Sequence, residues 1–142
     1  MIEPYIHTVQ YYETDRMKIT HHSNYVRWME EARMDYLKQI GCNYDEMEAR
    51  GILSPVLAVN CRYHHSTTFA DTVSIHVRMK EFKGVRLILE YTMKNTADDT
   101  LVLTGTTEHC FLDSNYQLIR LKKEFPDIYE ILTHFSKQDT LT

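Results

Sequence analysis

The amino-acid sequence predicts an α+β domain in which a curved antiparallel sheet wraps one long central helix. Three observations carry this expectation. One strong helical periodicity runs from Asn24 to Ile40, while three later segments alternate polar and apolar residues with a period of two and a fourth strand follows them. The chain has 142 residues, the size of one compact domain. No repeat, low-complexity tract or linker rich in Pro, Gly or Ser divides it, so residues 1–142 are read as a single domain. A lone helix with an apolar stripe needs a sheet to cover it, and a sheet curled around the helix supplies that cover.

The elements follow in order. Residues 5–12 alternate imperfectly, with Tyr5, His7, Val9 and Tyr11 on one side, and read as a first strand. Tyr25, Trp28, Met29, Ala32, Tyr36, Leu37 and Ile40 then fall on one face of a helix, opposite Arg27, Glu30, Glu31, Met34, Asp35 and Lys38. Ser23 or Asn24 is the expected N-cap, and Gly41 stands where a left-handed residue ends a helix. A short helical turn is expected over 44–50. Beyond Ser54-Pro55, strands are expected over 57–64, 73–80, 85–94 and 101–112, with a tight turn at Lys83-Gly84 and another at Ala97-Asp98-Asp99. Pro126 opens a second helix carrying Ile128, Ile131, Leu132 and Phe135. Such a domain leaves a strand edge or sheet face to bury against a copy of itself, which predicts a homo-oligomer.

Composition excludes several classes. Hydrophobic residues at 43% and charged residues at 25% place the chain among folded globular proteins. A net charge of -4 argues against a nucleic-acid or membrane-surface binder, which carries a basic excess. No apolar run approaches the roughly 20 residues needed to span a bilayer, and the first nine residues lack the layout of a secretory signal. Cys42, Cys61 and Cys110 are odd in number and widely spaced, so free thiols in a reducing cytoplasm are expected.

The chemistry concentrates between the first strand and the helix, from Tyr11 to Tyr25, where two His, an Asp, an Asn and several Tyr share one loop. A carboxylate just before a helix faces unsatisfied backbone N–H groups and the positive end of the dipole. Those N–H groups can instead polarise a substrate carbonyl, and Asp15 can then act as nucleophile or as general base for water. An Asp at this position is also an ordinary cap or loop residue. The pairs His21-His22 and His64-His65 lack metal-ligand spacing, so no metal is expected.

The segment Tyr12-Glu13-Thr14-Asp15, then His22-Ser23-Asn24-Tyr25 and Trp28-Met29-Glu30-Glu31-Ala32-Arg33, resembles the 4-hydroxybenzoyl-CoA thioesterase-like family of hot-dog acyl-CoA thioesterases. Its spaced pattern is matched at Asp15, His22, Asn24, Tyr25, Ala32 and Arg33, and Cys61-Arg62-Tyr63 looks like the family's second strand, placed here mid-sheet. The resemblance implies a hot-dog fold and a homodimer or homotetramer with active sites at the dimer interface. It implies Asp15 as the essential carboxylate and a backbone N–H near His22 on the thioester carbonyl. Asn24 and Tyr25 would shape the site or hold the loop. Coenzyme A would be part of the substrate, with no separate cofactor, and Lys80, Lys83 and Arg86 are candidates to bind it. The family's glycine two or three residues after the Asp is absent here, where Met17 and Lys18 stand. Two other readings accompany this one: a thioesterase acting on acyl carrier protein, and a non-catalytic acyl-CoA-binding or sensory domain. A hot-dog dehydratase ranks last, because it would place a carboxylate on the helix to work with a His. The acyl group is left open.

Overall fold

The computed structural model describes residues 2–141, with side chains through residue 139. In chain order the elements are β1 (Tyr5–Thr8), a 3-10 turn (Tyr11–Glu13), α1 (Ser23–Gln39), α2 (Tyr44–Ala49), β2 (Val56–Tyr63), β3 (Thr72–Phe82), β4 (Leu87–Asn95), β5 (Leu101–His109), α3 (Leu121–Glu124) and α4 (Pro126–Leu141). The strands form one antiparallel sheet in the order β1-β3-β4-β5-β2. Its curved face carries α1, the predicted α+β architecture.

Helix α1 buries the predicted stripe: Tyr25, Trp28, Met29, Ala32, Tyr36 and Leu37 all lie in the core. They meet Ile75 and Met79 of β3 and Leu89, Tyr91 and Met93 of β4, where strict alternation turns every second side chain inward. Gly41 ends α1 at φ +92°, a left-handed conformation that costs glycine little.

Four expectations are corrected. The first strand stops at Thr8 rather than running to 12, because the Glu13 carboxylate accepts the Gln10 N–H at 2.8 Å and folds residues 11–13 into a 3-10 turn. Neither Ser23 nor Asn24 caps α1. The N-cap position falls on His22, without a side-chain cap bond, while Asn24 turns its amide back onto the preceding loop. The last strand ends at His109, short of Leu112, which forms isolated bridges with Leu53 and Leu118. Finally, β2 is an edge strand rather than a mid-sheet one. Alternation along β2 therefore produces no buried face in a single chain: Val56, Leu57, Val59 and Tyr63 are each about half exposed, at 46, 51, 44 and 50%.

Candidate active site

The loop between β1 and α1 closes on itself as a small hairpin. Thr14 bridges Thr20, the Asp15 N–H donates to the Ile19 carbonyl at 2.9 Å, and the Lys18 N–H returns to the Asp15 carbonyl at 2.9 Å. Lys18 sits at φ +66°, so the turn keeps a left-handed residue at a position where glycine would be unstrained. Asp15 is half-buried. Its Oδ1 accepts the Met17 N–H at 2.7 Å, and its Oδ2 has no hydrogen bond among the described residues.

Beneath this hairpin lies a buried polar network that fixes it to the helix. Glu13 is 4% exposed, and its carboxylate takes three donors: the Gln10 N–H at 2.8 Å, the Trp28 indole N–H at 2.6 Å and His7 Nε2 at 2.8 Å. Burial alone would raise the Glu13 pKa, but those donors outweigh it and hold the carboxyl below its ordinary range. The other ring nitrogen of His7 lies 3.2 Å from Glu31, and the imidazole packs tilted against the Trp28 ring with centroids 4.4 Å apart. The Glu13 carbonyl accepts the His21 N–H at 2.8 Å and the Asn24 side-chain amide at 2.9 Å. Glu13 thus ties β1, the loop and α1 together through one residue.

At the start of α1 the backbone donors divide unequally. The Asn24 N–H goes to the His21 carbonyl and that of Tyr25 to the His22 carbonyl, while the His22 N–H has no acceptor among the described residues. This end of the helix opens on a cleft of about 230 Å³ lined by Ile19, Thr20, His22, Tyr25, Tyr63 and His64. Tyr25 is buried, with its hydroxyl 3.0 Å from Thr67 Oγ1 and its ring against Tyr63 at 5.6 Å. His22 is exposed and stacks on His21 at 4.3 Å. Asp15 does not itself line the cleft; it adjoins through Ile19, its partner across the hairpin.

The seam between α1 and β2 continues from this cleft. Tyr63, then Cys61 against Met29 (sulfur to sulfur 3.6 Å), then Val59 and Val56 follow the helix to a second cleft, also about 230 Å³. Its walls are Val26, Met29 and Arg33 of α1, Val56 and Val59 of β2, and Tyr91, Thr107 and His109 of the sheet.

Sequence reasoning brought Asp15, His22, Asn24 and Tyr25 to one place, and the structure groups them at the β1–α1 junction. Lys80, Lys83 and Arg86 stand elsewhere. They lie on and beyond the far end of β3, which begins beside the Asp15 loop and runs roughly 35 Å at strand rise. Lys83 pairs with Glu81 at 3.0 Å and lines a basic cleft of about 540 Å³ with Arg120, Lys122 and Lys123. Sequence reasoning missed Glu13 as an anchor, and missed Arg33 and His109 as buried polar groups. Arg33 was singled out in the sequence as part of the Ala32-Arg33 match to the family pattern, with no sign there that its charge would be buried. Among the described residues, no three of His, Cys, Asp and Glu converge as a metal site, no helix is long and apolar enough to cross a membrane, and all three cysteines are free.

With this geometry in view, comparison with known proteins is specific. The family model described as "Thioesterase-like superfamily" matches residues 9–132. The Bacillus subtilis protein YneP, provisionally assigned as an acyl-CoA thioesterase, is 32% identical over 119 residues, covering 84% of this chain and 86% of its own. A provisionally assigned esterase of Aquifex aeolicus is 31% identical over 124 residues, 87% of this chain and 94% of its own. The crystal structure of a DHNA-CoA thioesterase from Staphylococcus aureus superposes with a TM-score of 0.92 at 30% identity, over 97% of this chain and 93% of that one.

Proposed function

The chain belongs to the thioesterase-like superfamily and is a thioester hydrolase of the hot-dog fold, and from that premise we propose that it cleaves acyl-CoA to free acid and CoA with Asp15 as the reacting carboxylate. One observation carries the assignment of roles. Asp15 is held half-buried, beside the start of a 17-residue helix, and among the described residues neither its second carboxylate oxygen nor the His22 N–H has a hydrogen-bond partner. A thioester carbonyl oriented on the His22 N–H gains a donor and the positive end of the helix dipole as charge develops on its oxygen. A single such donor contributes on the order of 3 kcal/mol to the transition state.

Asp15 then serves in one of two balanced ways. As base it takes a proton from water, whose oxygen adds to the carbonyl carbon; the C–S bond breaks and the CoA thiolate takes up the proton. As nucleophile its oxygen adds first, expelling the thiolate and leaving a mixed anhydride that water opens. A single turnover in oxygen-18 water separates them, because label found in the Asp15 carboxylate marks the anhydride route.

The half-exposed β2 edge supports a homo-oligomer in which a second copy covers the α1–β2 seam. Lys80, Lys83 and Arg86, far from Asp15 within one chain, fit a role toward the CoA bound at a neighbouring copy's site. In that case Lys83→Ala raises KM severalfold and leaves kcat within a factor of about two, since it removes binding shared by ground and transition states.

The decisive experiment is thiol release from a panel of short, medium, long and aromatic acyl-CoAs by wild type and Asp15→Ala. Release by wild type with a loss of at least a hundredfold in the folded variant supports the assignment. Equal release by both removes Asp15 from the mechanism, and release only from acyl carrier protein thioesters reassigns the substrate carrier.

A further inference from the structure

Arg33 lies on the inward face of α1, 3% exposed, and its partners are few. Its Nη2 is 3.8 Å from Glu30, whose side chain is 66% exposed, and its guanidinium stands 5.7 Å from the centre of the Tyr44 ring. Nη1 is buried with no hydrogen-bond partner among the described residues. A cation taken from water and left with one long, solvent-screened ion pair is costly unless an anion or a strong acceptor completes it. Arg33 lines the second cleft of the α1–β2 seam, whose exposed lining is largely apolar.

The remaining polar groups of that cleft suit an oxygen ligand. His109 is fully buried; its Nε2 is 2.7 Å from Thr107 Oγ1, which in turn lies 2.7 Å from the Tyr91 hydroxyl, while its Nδ1 meets no acceptor in full hydrogen-bond geometry among the described residues, although the Pro55 carbonyl acts on the ring. Burial, with the Arg33 charge adding and the Pro55 carbonyl opposing, pushes the His109 pKa down to about 4, so the imidazole is neutral near pH 7. Arg33 is therefore the one positive charge among these buried groups; Arg27 and Glu30 line the same cleft from exposed positions.

Location gives the cleft its meaning. It continues the seam that starts at His22, and the helix rises about 16 Å from His22 to Arg33 at 1.5 Å per residue. Long helical side chains lean back toward the N-terminus, which brings the guanidinium to the distance spanned by a medium-length acyl group whose thioester sits at His22. Resting on the thioesterase reading above, we infer that the cleft is the distal acyl subsite and that Arg33 selects acyl groups bearing an acidic oxygen remote from the thioester over plain hydrocarbon ones.

Suberoyl-CoA and octanoyl-CoA share a chain length and differ at the far end, a carboxylate against a methyl group. Wild type is expected to show a kcat/KM at least tenfold higher for suberoyl-CoA. Arg33→Met, which keeps the length of the side chain without its charge, should lose that preference while hydrolysing octanoyl-CoA within a few-fold of wild type. Equal wild-type rates for the pair, or an equal fall for both substrates in Arg33→Met, overturns the inference, as does a variant that changes oligomeric state with its preference intact. Calorimetry with suberamate, which keeps one carboxylate remote from an amide, and octanamide, which has no carboxylate, on wild type, Asp15→Ala and Arg33→Lys decides the matter without turnover. Tighter suberamate binding in the first two, weakened in Arg33→Lys by loss of the planar fork, supports the subsite even where no CoA ester is cleaved, an outcome that would defeat only the hydrolase reading. Indistinguishable binding of the two amides overturns it.

Discussion

Glu13 and Asp15 stand two residues apart and have opposite environments. Glu13 is enclosed and supplied with three donors, which suits an anchor; Asp15 is half-buried with one oxygen unpartnered among the described residues, which suits a reacting group. Glu13→Gln keeps the shape but weakens the charge-assisted bonds to His7 and Trp28, and should cost about 1–3 kcal/mol, read as a lower urea midpoint at unchanged slope. Because the folded-state pKa of Glu13 is depressed, its contribution is complete above the ordinary value of 4.5 and is lost as pH falls below that. His109 acts in a higher window. Its folded pKa is lowered from 6.5 to about 4, so the unfolded chain binds the extra proton first as the solution is acidified. Stability should thus decline as pH drops from about 6.5 toward 4, and His109→Asn should flatten that part of the curve. An unchanged slope in the variant would show that other groups govern the acid limb.

At the scale of elements, α1 organises the molecule, and Trp28 is its central contact: fully buried, packed against the His7 ring and donating to Glu13. Trp28→Ala should cost about 3–5 kcal/mol by cavity formation, and more of the loop than of the sheet should lose hydrogen-exchange protection. Gly105 is the tight point between β5 and β2. A methyl group there would collide with the Asn60 carbonyl of the neighbouring strand and press on Met29, so Gly105→Ala should detach β2 from the sheet, seen as early exchange of its amides. The α1 stripe and the alternation of β3 and β4 were legible in the sequence because each element packs one face against a core formed by its own chain. What was not legible depends on long-range partners. The 3-10 turn forms where the Glu13 carboxylate accepts the Gln10 N–H while also reaching His7 and Trp28, and the Arg33 match to the family pattern gave no sign that the fold would enclose its charge. The residues of the Asp15 loop were legible as a spaced motif, while the second cleft was not, since its walls come from α1, β2, β4 and β5.

The whole molecule leaves one question of assembly with a physical answer. β2 carries Val56, Leu57, Val59 and Tyr63 in half-exposed positions along a sheet edge, an arrangement that soluble proteins cover or interrupt because it templates further pairing. Both clefts of the α1–β2 seam open beside that edge, so a second copy seated there would wall the acyl path as well as bury the strand. Leu57 tests this, because it belongs to the exposed edge and lines neither cleft. Leu57→Lys places a charge on the edge at little cost to the single chain, within about 0.5 kcal/mol for an exposed site. Sedimentation of wild type should give a dimer or a larger assembly and that of the variant a monomer, with kcat/KM falling in proportion to the monomer fraction. A monomer of undiminished activity would mean that one chain builds the whole acyl path, and an unchanged assembly would place the contact on another face.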